Sequence, residues 1–162
     1  MENIKLKTWQ KEIIDTIENY EDFIGQENMQ GLSEYEKNEA SSVYVRFPKG
    51  SGHSFLTSYI SCNYPSVIIY EDIENWKNIL KCGKVEETNI HPETSLVSIY
   101  EISHEILSTF RKDGGFYLDR VKSKMIDKKV VVIDNATSMM RRFPQVVDFL
   151  FNFCKGQIVL LG

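Results

Sequence analysis

The stretch Val43-Tyr44-Val45-Arg46-Phe47-Pro48-Lys49-Gly50-Ser51-Gly52-His53-Ser54 decides how this chain reads. Residues 43–47 form a β-like run. Phe55-Leu56-Thr57-Ser58-Tyr59-Ile60 forms a helix-like run. Between them lies a loop of small residues, Lys49-Gly50-Ser51-Gly52-His53-Ser54. Such a loop lets peptide N–H groups turn toward one point, and the first turn of the following helix adds partial positive charge. A backbone of this kind can cradle phosphates. The usual phosphate-binding sequence closes on Gly-Lys-Ser/Thr. Here His53 stands in the lysine slot.

Upstream, Trp9, Ile13, Ile14, Ile17 and Phe23 recur at near-helical spacing, so residues 6–24 read as an amphipathic helix with Thr8 as its cap. Residues 25–42 are polar and read as a loop with a short helix near 33–39. Downstream, strands are expected at 66–70, 95–100, 129–134 and 157–161. Helices are expected from the loop to about 62, then at 74–80, 103–111, 116–126 and 143–153, with Asp113-Gly114-Gly115 as a turn. The strands are apolar throughout and alternate with helices. That pattern predicts an α/β fold, a three-layer α/β/α arrangement around a mainly parallel sheet of about five strands. The chain reads as one domain, 1–162, with an N-terminal helix and polar segment (1–42) and an α/β core (43–162).

The 162 residues suffice for a real core, and 42% apolar with 26% charged content fits a globular domain. A net charge of −4 excludes a global basic field for nucleic acid, leaving room only for a local patch. No apolar run reaches the roughly 18 residues of a membrane span, and residues 1–5 carry no signal-peptide core. Cys62, Cys82 and Cys154 fit neither a metal spacing nor a disulfide framework, so free thiols in a reducing, cytoplasmic setting are expected. His53, His91 and His104 show no metal-ligand spacing.

A second signal lies about 80 residues beyond the loop, in Val130-Val131-Val132-Ile133-Asp134. A buried strand that ends in an acid holds its carboxylate fixed at the sheet edge. A hard cation such as magnesium takes one or two such carboxylates plus waters and phosphate oxygens. In α/β sheets ligands bind at the carboxyl ends of strands, where both the loop and Asp134 are expected.

Together these residues resemble a phosphate-binding-loop (P-loop) NTPase of the branch containing helicases and viral DNA-packaging terminases. The likeness rests on the glycine loop, on Asp134-Asn135-Ala136-Thr137, and on the final run Gln157-Ile158-Val159-Leu160-Leu161-Gly162, similar to a sensor-bearing strand. Leu6-Lys7-Thr8-Trp9-Gln10 is similar to the aromatic-Gln segment ahead of the loop in that family. The terminase likeness is closest, because many terminase loops start with a basic residue and lack the later lysine. The resemblance implies ATP and magnesium as ligands. Gln10 would face the base, and Lys49, Gly50, Ser51, Gly52, His53 and Ser54 would surround the phosphates. Ser54 and Asp134 would hold magnesium, with Lys49, Asp134 and Asn135 in the catalytic positions. It further implies a nucleotide partner, double-stranded DNA, homo- or hetero-oligomers, no membrane, and a cytoplasmic location, a viral protein in a host cytoplasm included.

Two residues depart from the pattern. His53 is shorter than lysine and mostly neutral near pH 7 at its ordinary pKa of about 6.5. Asn135 stands where an active enzyme has Glu, and an amide cannot accept the proton of an attacking water. Glu71, Asp72 and Glu101 are candidates for the missing carboxylate. Two functions therefore stand open: an ATPase that moves nucleic acid, and a catalytically inactive protein of the same fold used for assembly or nucleic-acid contact. Arg141-Arg142 and the run Lys122, Lys124, Lys128, Lys129 are read first as solvated surface.

Overall fold

A computed structural model describes residues 5–108, 121–125 and 127–162. Five strands form one sheet: β1 (Val43–Val45), β2 (Ser66–Tyr70), β3 (Ser95–Ser98), β4 (Val130–Asp134) and β5 (Gln157–Leu161). Their order is β1-β5-β4-β2-β3, and all four pairings are parallel. The sheet is thus wholly parallel.

Helices cover both faces. Those described are α1 (Thr8–Glu18), α2 (Tyr20–Ile24), α3 (Glu34–Ser41), α4 (His53–Asn63), α5 (Ile73–Gly83), α6 (Ile99–Ser108), α7 (Ala136–Arg142) and α8 (Gln145–Phe153). Residues 121–125 are also helical. The period-2 alternation of side chains divides the core in two. Val67, Ile69, Val131, Ile133, Ile158 and Leu160 pack with Ile102 of α6 and with Val146, Phe149 and Leu150 of α8. Ile68, Val130, Val132, Val159 and Leu161 pack on the other face with Ile13 and Ile17 of α1, Leu56 and Ile60 of α4, and Trp76 and Ile79 of α5. β4 and β5 are buried along their whole length, which accounts for their unbroken Val/Ile/Leu runs.

Several boundaries differ from the sequence expectation. The helix expected over 6–24 is two helices, because Asn19 leaves helical backbone (φ −100°, ψ 10°) and its Nδ2 donates to Asp15 O at 2.8 Å. Thr8 is the first helical residue, and Lys7 occupies the capping position. The polar stretch 25–42 contains α3. Ser33 and Glu36 cap it reciprocally, Glu36 N to Ser33 Oγ and Ser33 N to Glu36 Oε1, each 3.2 Å. Its polar residues are load points of tertiary structure: Asn38 Nδ2 donates to Phe151 O (2.7 Å) and Cys154 O (2.8 Å), and Gln157 Nε2 donates to Ser41 O (2.6 Å). β1 ends at Val45, and β3 ends at Ser98, where α6 takes over. The helix expected over 143–153 is α8, and it begins at Gln145; α7 precedes it without a counterpart in the sequence expectation, and Phe143-Pro144 separates the two, since proline has no N–H to continue the first. The turn expected at Asp113-Gly114-Gly115 lies outside the described residues. No helix among the described residues is long and apolar enough to cross a membrane.

Candidate functional site

The loop after β1 is built from one turn and two glycines. Ser51 N donates to Pro48 O at 3.1 Å, and Ser51 Oγ donates to the same oxygen at 2.5 Å. Gly50 (φ +89°) and Gly52 (φ +105°) then take backbone angles that side chains disfavour. The first helical bond of α4 runs from Leu56 N to Gly52 O at 3.0 Å. The N–H groups of His53, Ser54 and Phe55 therefore have no acceptor within the helix. They stand at the edge of a cleft of about 660 Å³ at the carboxyl ends of the strands.

Helix α1 braces the loop from behind. Gln10 is 2% exposed. Its Oε1 accepts from Lys7 N at 2.8 Å, and its Nε2 donates to Gly52 O at 3.0 Å. Lys7 Nζ donates to Ser51 O at 2.8 Å. The Trp9 ring lies 5.1 Å from Phe47 and 5.5 Å from His53, centroid to centroid. His53 stacks on Phe47 at 6.1 Å, and its Nε2 accepts from Phe47 N at 3.2 Å. Burial holds the imidazole below its ordinary pKa; the nearby Asp134 charge opposes this, and the Lys7 cation adds to it. His53 is thereby a neutral acceptor that pins the loop.

Asp134 closes the other side. It is 3% exposed and accepts three side-chain bonds: Ser54 Oγ to Oδ2 at 3.1 Å, Asn75 Nδ2 to Oδ2 at 3.3 Å, and Thr57 Oγ1 to Oδ1 at 3.4 Å. Burial raises its pKa, and the bonds from Ser54, Asn75 and Thr57 pull it back. Sequence reading missed Thr57, Asn75 and Lys7. A signal for the first two existed: Thr57 follows Ser54 at i+3 on one helix face, and Asp72-x-x-Asn75 is a helix start at the carboxyl end of β2. Asp72 indeed caps α5, accepting from Asn75 N at 2.9 Å.

Lys49, Gly50, Gly52, His53, Ser54, Asp134 and Asn135 all line the one cleft. Gln10 and Ser51 do not; they lie behind it, bonded as described. Lys49 is exposed on the rim and makes no ion pair among the described residues. Asn135 is exposed and sits at φ +58°, a left-handed conformation that Asn tolerates well, at the start of α7. Gly162 also borders the cleft. It donates from N to Val45 O (2.8 Å) and accepts from Thr137 N (2.7 Å), joining β1 to α7.

The other candidate carboxylates have partners. Glu71 is bonded by Arg142, which also donates to Tyr100 OH at 2.5 Å. Asp72 is a helix cap, and Glu101 receives Lys124 Nζ at 2.9 Å. Among the described residues no three His, Cys, Asp or Glu side chains converge as a metal cage. Two protein oxygens, from Ser54 and Asp134, suit a hard cation whose remaining ligands come from phosphate and water. A buried carboxylate faced only by neutral donors is also the electrostatic complement of such a cation.

No protein-family model, curated protein or solved structure matches this chain.

Proposed function

We propose that this domain binds a nucleoside triphosphate, ATP in the first instance, together with magnesium, as the nucleotide-binding core of a DNA-translocating motor of terminase or helicase type. One observation carries the reading: the hydroxyl of Ser54, in the first turn after a glycine loop, meets the carboxylate of Asp134, at the end of a buried strand, at 3.1 Å inside the cleft. Ser54 and Asp134 would hold the cation, which would neutralise phosphate charge. Lys49 would add a mobile cation at the rim, and the free N–H groups of α4 would receive phosphate oxygens. β5 runs between β1 and β4, so Gly162 lies beside both halves of the site. Arg46 and Arg141 line an adjoining shallow cleft of about 370 Å³, a surface suited to a phosphate backbone.

Titration calorimetry and thermal unfolding test this. ATP with magnesium at about a hundred times its Kd should add about 2.7 kcal/mol of stability, raising Tm by roughly 5–10 °C. Ser54→Ala and Asp134→Ala should abolish the shift. An unmoved Tm at saturating ATP refutes nucleotide binding.

A specific observation favours binding without turnover. Asn135 offers no proton acceptor, and Glu71, Asp72 and Glu101 are each engaged elsewhere. We therefore read the chain as a slow or inactive hydrolase. His53→Lys with Asn135→Glu should raise phosphate release by about a hundredfold or more if only the missing groups limit it.

A further inference from the structure

The cleft does not stop at the aspartate. It continues between the first turn of α4 and one face of α5, where Phe55, Asn75, Asn78 and Cys82 line it. Asn75, Asn78 and Cys82 share a helix face by their i, i+3, i+7 spacing. Asn78 lies about 5 Å and Cys82 about 10 Å along the helix from Asn75. The two helices close the wedge at Gly83, where an added Cβ would stand 1.9 Å from Ser58 Oγ.

The two ends of the cleft differ in chemistry. Lys49, His53, Asp134 and the helix N–H groups belong to the loop end. Among the described residues that line the wedge, the Cys82 thiol is the one ionisable group. Phe55 is half-buried and offers an aromatic face. Asn78 is exposed, and among the described residues its side chain makes one bond, the long acceptance from Cys82 Sγ at 3.8 Å. Its two Nδ2 hydrogens and a carbonyl lone pair remain for a ligand. An aromatic face beside a carboxamide suits a flat heterocycle with a donor–acceptor edge, the pairing by which Asn recognises adenine. Gln10 cannot easily do this, because both ends of its amide are taken by Lys7 N and Gly52 O.

We propose that the wedge between α4 and α5 holds the base of the nucleotide, with Phe55 against the ring and Asn78 at its hydrogen-bonding edge. This rests on the polyphosphate reading of the loop. The ligand then lies along the cleft, charge at the loop and ring at the wedge.

The test compares magnesium ATP with magnesium tripolyphosphate by calorimetric titration of the intact chain. ATP should bind about ten- to a hundredfold more tightly, the worth of one stacked and hydrogen-bonded base. Asn78→Ala and Phe55→Leu should bring ATP toward tripolyphosphate and leave tripolyphosphate unchanged. Asn78 is exposed on a helix where Ala is favourable, so that variant keeps the test alive should Phe55→Leu fold poorly. Iodoacetamide labelling, mapped by peptide mass, gives a second readout: ATP should shield the exposed Cys82, and tripolyphosphate should not. Equal affinities, variants that weaken both ligands alike, or an unshielded Cys82 under ATP overturn the base site while leaving the phosphate site standing. If neither ligand binds, the polyphosphate reading falls, and this one with it.

Discussion

Gln10 Nε2 donates to Gly52 O at 3.0 Å, joining the first helix to the loop across 42 positions of sequence. The same amide accepts from Lys7 N, so one buried side chain fixes both the start of α1 and the end of the loop. Gln10→Ala takes the side-chain acceptor from Lys7 N and leaves Gly52 O with Leu56 N alone. It should cost about 1–2 kcal/mol in urea denaturation and raise amide exchange in residues 49–54.

Gly50 and Gly52 are not equivalent. A Cβ at Gly50 meets nothing within 4 Å, whereas one at Gly52 lies 2.7 Å from Gln10 Nε2. Gly50→Ala bears only the strain of positive φ, about 1 kcal/mol. Gly52→Ala bears the clash as well and should be the more destabilising. In a double-mutant cycle with Gln10→Ala the two losses should be less than additive, by about 0.5–1 kcal/mol. Additive losses would show that the contact is not what constrains Gly52.

Asp134 titrates above its ordinary range because it is buried. For an acid whose folded pKa is raised, the unfolded chain ionises first as pH rises. Stability is then full below the ordinary carboxylate pKa and declines as pH climbs from there to the folded value. Asp134→Asn should therefore match the native chain near pH 3 and exceed it at pH 7 by about 1–2 kcal/mol, followed by thermal unfolding against pH. The same substitution should remove stabilisation by magnesium ATP. A variant less stable than native at neutral pH would contradict a burial cost at Asp134.

Asn135→Glu places a longer side chain at φ +58°, a conformation in which Asn is several-fold enriched. It should lower stability by about 1 kcal/mol even where it raises phosphate release. Measuring both on one preparation separates the backbone effect from the chemical one.

Gly83 lets α5 approach α4 closely, with Ser58 Oγ in the space a Cβ would take. Ser58 Oγ donates to Phe55 O at 2.8 Å, so the contact reaches the wedge. Gly83→Ala should destabilise by about 1–3 kcal/mol, and Ser58→Ala in the same chain should recover part of that loss in chemical denaturation.

The sheet was legible because its signal is local. β2, β4 and β5 are runs of Ile, Val and Leu with turn residues outside them, and two of the three match the expected span to the residue. The convergence of the loop with Asp134 was legible too, since both must emerge at strand carboxyl ends. What escaped depends on contacts distant in sequence. Nothing near Asn38 says that it will bond the carbonyls of Phe151 and Cys154, so the sequence marks a short helix near 33–39 without showing what anchors it. Asn75 reads as an ordinary residue of a helix start, and only the pairing of β2 with β4 brings its amide to Asp134. Gln10 was read through the resemblance as facing the base and not as the brace of the loop, because the side of α1 that carries it is settled by packing.

The chain has two tryptophans, and they sit in opposite circumstances. Trp76 is 2% exposed and packs in the core with Leu56 and Ile79. Trp9 leans on His53 and Phe47, the two rings that bracket the glycine loop. A shift of this loop would change the surroundings of the Trp9 indole directly. Trp9 emission would therefore report an occupant that moves the loop, without an added label.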